Sequence, residues 1–195
     1  MKLTFSIRVA LGLSDEMKEK SLKELEIMAK IISDYVVHYN HSWIENNEIL
    51  YIQMELCLNT LEVIMEQKQN DFKRKRFEVM TPLEYYISSE LFKEILEAVN
   101  YLHSLKPPII HRDLKPTNIL ITEGKSGRFV KLADFGLATI HKFDEQTHTE
   151  NLGTIRYAAR EVLDGRNYDM KADIYSSGVI MEEIFYIDMD EYEIN

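Results

Sequence analysis

The spacing of apolar and polar residues changes several times along the chain, and each change marks an element. Residues 5–9 read as a short strand. Ser14 is placed to cap a helix in which Leu22, Leu25, Met28, Ile31 and Ile32 recur at helical spacing as far as Ser33. Residues 36–39 and 50–55 read as two strands joined through polar Glu45, Asn46, Asn47 and Glu48. Residues 58–72 suit a helix. The clearest amphipathic stretch spans 89–105, where Leu91, Phe92, Ile95, Leu96, Val99, Leu102 and Leu105 form one face before Pro107 and Pro108 stop it. Residues 119–122 and 129–132 predict a hairpin across a loop holding Gly124 and Gly127. A last helix is expected over 172–185, followed by an acidic, frayed end at 188–195.

Composition narrows the class. The 195 residues carry 23 Lys+Arg against 33 Asp+Glu, a net charge of -10, which argues against a nucleic-acid-binding surface. The single cysteine, Cys57, cannot form an internal disulfide, so a reducing compartment and a cytoplasmic location are expected. The opening imitates a signal peptide until Arg8 interrupts it, and no uncharged apolar stretch approaches the ~18 residues of a membrane span. The basic run Lys73, Arg74, Lys75, Arg76 is read as a solvated loop in preference to a nuclear-import or docking signal. No glycine lies between Gly12 and Gly124, so neither G-x-G-x-x-G nor G-x-x-x-x-G-K-[ST] occurs.

One segment carries chemistry. His111-Arg112-Asp113-Leu114-Lys115-Pro116-Thr117-Asn118 is followed sixteen residues later by Asp134-Phe135-Gly136. These resemble the catalytic loop and D-F-G motif of eukaryotic protein kinases, and the Lys-Pro-Thr-Asn wording resembles the serine/threonine type. The resemblance implies an α+β, two-lobed kinase-like fold, incomplete at both ends. Residues 1–57 would form a partial small lobe and hinge, 58–187 a partial large lobe, and 188–195 an acidic tail. The small lobe would lack its first strands and the large lobe its last helices. The implied activity is ATP-dependent phosphoryl transfer to a protein hydroxyl, a reaction that depends on positioning and charge neutralisation. Asp113 would orient the substrate hydroxyl, Lys115 would sit beside the transferred phosphate, and Asn118 and Asp134 would offer oxygen ligands to Mg2+. Arg112 is placed to pair with a phosphate on the next loop. That loop closes with Ala159-Arg160-Glu161 where the family has A-P-E, after Gly153-Thr154-Ile155-Arg156-Tyr157. Thr149 and Thr154 are the activation-loop phosphorylation candidates, with Thr147 behind them, although an unmodified loop threonine is an equal reading. Asp173 matches the helix aspartate that braces the catalytic loop, with a helix cap as the alternative.

The same resemblance extends to the nucleotide cleft. Met54 would guard the back of the pocket, backbone groups of Glu55 and Cys57 would meet the adenine edge, and Leu120 would lie under the ring. Cys57 is read as a hinge residue without a basic neighbour, not as a reactive thiol. Glu24 falls where kinases pair a glutamate with the phosphate-binding lysine, and sixteen residues earlier that lysine position is taken by Arg8. Arginine keeps the charge but not the compact ammonium geometry. Residues 23–43, with Tyr39 and Trp43, and residues 50–57 resemble the translation-initiation-factor 2 alpha-subunit kinases. The implied partners are a protein substrate, the alpha subunit of that factor, and a second kinase chain as dimer partner. No nucleic acid or membrane is implied by this segment. Intact Asp113, Lys115, Asn118 and Asp134 favour an active kinase. Arg8, Arg160 and the missing glycine loop favour a pseudokinase binding module, and the failure of both ends favours a truncated fragment.

Overall fold

The structure, a computed structural model, describes the backbone of residues 4–10, positions 25 and 29, and residues 31–46, 49–74, 78–124, 127–134, 155–164 and 169–186. Strands β1 (Thr4–Ala10), β2 (Tyr39–Glu45) and β3 (Ile49–Glu55) make an antiparallel sheet with β3 in the centre. The period of β3 explains its place. Leu50, Ile52 and Met54 are buried, whereas Tyr51, Gln53 and Glu55 are half-buried, so a one-residue slip would carry the apolar row out of the core.

The strand expected over 36–39 is displaced: β2 begins at Tyr39. Val36 and Val37 have the β-branched signature of a strand, but Val36 makes only an isolated parallel bridge to Leu132. Their burial, not sheet membership, accounts for the pattern. The expected helix is seen at Leu25 and Ala29, but Ile31 and Ile32 are not helical. Ile31 is buried and Ile32 is 81% exposed, so the apolar run outlasts the helix.

A second small antiparallel sheet joins β4 (Asn59–Thr60), β5 (Ile119–Ile121) and β6 (Val130–Leu132). The hairpin of β5 and β6 was expected, and Gly124 shows why its loop takes glycine. Its φ is +68°, and a Cβ there would meet the Phe129 ring at 2.5 Å. Helix α1 (Leu61–Phe72) starts where Thr60 Oγ1 accepts the Val63 N–H at 3.3 Å, three residues later than the apolar run suggested. Helix α2 (Pro82–Ser104) starts seven residues before the expected 89. Its cap is Thr81, whose Oγ1 accepts the Glu84 N–H at 3.2 Å, with Pro82 in the first turn. The overlooked turns break the apolar pattern, because they expose Tyr85 and Tyr86 and bury Glu84. Leu96, counted on the apolar face, is 39% exposed.

Glu84 is buried because it has partners. Arg74 Nε donates to both of its carboxylate oxygens, at 3.1 and 3.0 Å, and Lys68 Nζ lies 3.9 Å away. The expected solvated loop is therefore corrected at Arg74, which is largely buried in this ion pair. Lys73 closes α1 in a left-handed conformation, and Lys75 and Arg76 lie outside the described residues.

Short α3 (Arg160–Leu163) and long α4 (Lys171–Phe185) complete the described elements. Helix α2 packs against α4 and β6. One core runs from Ile52 and Met54 through Leu132 and Ile119 to Val99, Leu102, Ile180 and Ile184. It joins the upper sheet to the helices below, the arrangement of a partial kinase fold. Among the described residues no helix is long and apolar enough to cross a membrane.

Candidate active site

The catalytic-loop sequence hangs between the end of α2 and the start of β5, and a carboxylate from α4 shapes it. Asp173 Oδ2 accepts the His111 N–H at 2.9 Å and faces His103 Nε2 at 2.8 Å. Its Oδ1 accepts the Arg112 N–H at 2.9 Å. Arg112 has φ +72°, a left-handed conformation that costs a non-glycine residue roughly 1–2 kcal/mol. Asp173 therefore holds the strained bend at its peptide N–H groups. Asp173 lies in the first turn of α4 without capping it, since both of its carboxylate oxygens are turned to the loop and to His103.

His111 is enclosed beside this bend. Its Nε2 lies 2.9 Å from the Ala133 carbonyl, and the Asp113 N–H points to its Nδ1 at 3.4 Å. A carbonyl needs a donor and an N–H needs an acceptor, so the network assigns a neutral ring protonated on Nε2. Burial pushes the His111 pKa below its ordinary value, against the upward pull of Asp173, Ala133, Asp113 and Asp134.

The loop then brings its polar residues onto one carboxylate. Asp113 Oδ2 accepts Asn118 Nδ2 at 3.0 Å and pairs with Lys115 Nζ at 3.1 Å. Asn118 Nδ2 also donates to the Asp113 carbonyl at 2.8 Å. The turn Pro116–Asn118 is 3-10 and leads directly into β5. Its last N–H, that of Asn118, bonds the Lys115 carbonyl at 2.9 Å, and Ala133 N–H bonds the Asn118 carbonyl at 3.0 Å. This second bond sets the residue before Asp134 beside Asn118. Asp134 has φ +66° and is half-buried.

This donor set fits a hard divalent cation. The amide nitrogen of Asn118 is committed to Asp113, so its side-chain oxygen is the ligand it can offer, and Asp134 adds a carboxylate. Lys115 brings its ammonium group to the Asp113 carboxylate in the same loop.

At the hinge, Met54 is fully buried and Leu120 is half-buried against the same core. Glu55 N–H bonds the His38 carbonyl at 2.9 Å, and its Oε1 accepts the His38 N–H at 2.8 Å. Cys57 is half-buried and does have a basic neighbour, Lys131, which corrects the sequence reading. Burial and the negative charge of Glu55 outweigh Lys131 and push the thiol up to about 11. Arg8 lies on β1, paired with Tyr51, and its side chain is outside the described residues. Glu24, Phe135, Gly136, Thr147, Thr149 and Thr154 also lie outside them.

Sequence reasoning missed His103 and Lys131. His103 sits in the last turn of α2, where only the fold reveals Asp173 beside it. Lys131 was hidden between the apolar Val130 and Leu132, and a lysine inside a short buried strand was the available signal. Below the catalytic loop, Tyr157 OH donates to both oxygens of Glu183 at 2.9 and 2.7 Å, and Ser176 Oγ donates to the Tyr157 carbonyl at 2.6 Å. Burial, with the Glu183 bond, raises the Tyr157 pKa. A cavity of about 370 Å³ opens there, between α1 and α4, with Pro116, Arg156 and Tyr157 on its wall.

The sequence matches the protein kinase domain family over residues 9–189. Eukaryotic translation initiation factor 2-alpha kinase 1 of Rattus norvegicus is 36% identical over 150 residues, covering 70% of this chain and 24% of the relative. Mitogen-activated protein kinase kinase kinase 7 of Bos taurus is 38% identical over 133 residues, covering 66% and 22%. Eukaryotic translation initiation factor 2-alpha kinase 3 of Rattus norvegicus is 37% identical over 149 residues, covering 70% and 12%. The chain thus spans about a quarter or less of the length of these relatives. The match covers most of the sequence and includes the loop that Asp173 holds in its strained bend: this chain belongs to the protein kinase family.

Proposed function

We propose that the chain binds magnesium-ATP between the upper sheet and the catalytic loop and transfers a phosphoryl group to a serine or threonine hydroxyl of a protein. The observation that carries this reading is the convergence of Asn118 and Lys115 on the Asp113 carboxylate, at 3.0 and 3.1 Å. Asn118 fixes the carboxylate rotamer, so that Asp113 can orient an incoming hydroxyl and receive its proton. Lys115 follows the negative charge as it moves onto the transferred group, and buried surroundings strengthen that interaction. Magnesium, when bound, supplies charge neutralisation across the phosphates, with Asn118 and Asp134 as its protein ligands.

The substrate we favour is the alpha subunit of translation initiation factor 2. It rests on residues 23–43, with Tyr39 and Trp43, on residues 50–57 and on the names of two relatives. The mitogen-activated kinase relative is similar at nearly equal identity, so the substrate must be tested directly. The decisive experiment is phosphoryl transfer to purified alpha subunit, with casein as a second acceptor, by the wild-type chain and by Asp113→Asn. The variant should lose about 10²–10⁴-fold in rate. Equal signal from both would sink the catalytic assignment, and equal transfer to casein would sink the substrate. A second reading, a non-catalytic binding module, is favoured by Arg8 at the position of the phosphate-binding lysine. It predicts no transfer and no stabilisation by magnesium-ATP.

A further inference from the structure

Helix α1 buries two of its twelve residues, and they are unlike. Leu61 at its start joins the core, and Lys68, two turns further on, is 5% exposed. The Lys68 ammonium reaches two other helices. Its Nζ donates to Ser88 Oγ on α2 at 2.7 Å and to the Ile184 carbonyl at the end of α4, with Glu84 Oε1 3.9 Å away. The last carbonyls of a helix lack intrahelical donors and form its negative end, so a cation is favoured there. Helix α4 has no basic residue in its own last turn and takes one from α1. Burial outweighs the pull of Glu84 and pushes the Lys68 pKa down to about 8, so the charge itself costs the fold stability. A methionine would fill the space without that cost, and the ammonium is explained by what it connects.

The residue that ends α4 is held from the same side. Tyr186 has φ +54°, a left-handed conformation that glycine or asparagine takes more readily than an aromatic residue. Lys68 Nζ and Arg74 Cζ lie over its ring, 5.1 and 5.0 Å from the centroid, and its OH donates to the Met65 carbonyl at 3.2 Å. The final turn of α4 is therefore fixed by α1 and by Arg74 just beyond it. These contacts border the cavity between the two helices. Met65 and Gln69 flank Lys68 on α1, Glu183 and Tyr186 flank Ile184 at the end of α4, and all four line that cavity. Pro116, the residue after Lys115 in the catalytic loop, lines it too. The separation of α1 from α4 thus sets the width of a groove that ends beside the catalytic loop.

We propose that Lys68 is a pin between α1 and α4 that sets the width of this groove, and that the groove seats the segment of the acceptor protein adjoining its hydroxyl. Lys68 is then a positioning residue for the acceptor and not for the nucleotide. The pin is a property of the chain without ligands, while its consequence for the acceptor rests on the phosphoryl transfer proposed above.

The test combines amide hydrogen exchange of the chain without ligands and initial rates of transfer from magnesium-ATP to casein and to the purified alpha subunit. In Lys68→Met, exchange should quicken in residues 66–72 and at Tyr186 and stay unchanged in residues 95–104 of α2. The KM for the protein acceptor should rise about tenfold, as for loss of one charge-assisted contact, and the KM for magnesium-ATP should not change. Lys68→Arg, which still offers donors to Ser88 and to the Ile184 carbonyl, should restore both slow exchange and the acceptor KM. Tyr186→Asn accepts the left-handed turn but loses the ring and its OH. It should loosen the same segments and stands in if Lys68→Met does not fold. Unchanged exchange at 66–72 and 186 in both variants overturns the pin. Quickened exchange with an unchanged acceptor KM, or an equal rise in both KM values, overturns the acceptor-positioning role. Quickened exchange in a chain whose wild type transfers nothing supports the pin and removes the acceptor role together with the transfer reading.

Discussion

Replacing Asp173 by asparagine tests how the catalytic loop is held. The side chain is 1% exposed and carries three contacts, with the N–H groups of His111 and Arg112 and with His103 Nε2. Asparagine has nearly the same volume, so no cavity opens, but one oxygen becomes an NH2 that cannot accept. The less costly orientation keeps the oxygen toward His111 and His103, where two contacts would be lost, and turns the amide toward Arg112. One charge-assisted bond, worth about 1.5–3 kcal/mol, is then lost, and the other two weaken to neutral bonds at roughly 0.5–1 kcal/mol each. Relaxation of the positive φ at Arg112 returns about 1–2 kcal/mol. Taken at their midpoints these terms leave a net loss of about 2 kcal/mol, or roughly 4–9 °C in melting temperature for a domain of this size. A thermal melt reads the total, and amide exchange at residues 111 and 112 locates it. Asp169→Asn is the control, because its exposed carboxylate accepts the Lys171 N–H at 2.8 Å and asparagine serves equally well there. A melting temperature within 1 °C of wild type, with residues 111 and 112 still protected, would refute the assignment of loop geometry to this carboxylate.

Two further predictions concern titration and reactivity. Burial, only partly offset by Glu84, pushes Lys68 down to about 8, so the folded chain gives up this proton before the unfolded chain does. Its contribution therefore rises with pH from 8 toward 10.5 and is lost as pH falls through 8. Cys57 opposes this from pH 9 upward, which leaves pH 8–9 as the clean window. Wild type should gain about 1 kcal/mol in urea denaturation across that window, and Lys68→Met should show no such slope. A parallel pH dependence in the two proteins would exclude Lys68 as the source. The raised Cys57 pKa predicts alkylation by iodoacetamide about a hundredfold slower than an ordinary thiol at neutral pH, with the normal rate restored in urea. Full reactivity in the native chain would contradict the burial that sets it.

Local pattern located most elements and the chemistry of the loop. A period of two placed β3, helical spacing placed the later part of α2 and α4, and Gly124 marked the hairpin loop. The residues from His111 to Asn118 stood out through their resemblance to the kinase catalytic loop, which places a carboxylate, a cation and an amide within one short segment. Hydrophobic period carries no information about partners distant in sequence, and the misreadings arose there. Val36 and Val37 carry the signature of a strand because burial against Leu132 selects the same residues as sheet pairing does. Glu84 concealed the start of α2 because its burial depends on Arg74, ten residues earlier. The contact of Asp173 with the loop spans 62 residues to His111 and that of Lys131 with the hinge spans 76, distances across which only a folded chain makes neighbours. Side-chain type and spacing alone are enough to show the resemblance to a kinase catalytic loop and to mark the faces that had to be buried. Which buried charges have partners, and so how the loop and the hinge are held, is visible only in the folded chain, because desolvated charges persist only where a distant part of the chain completes their hydrogen bonds.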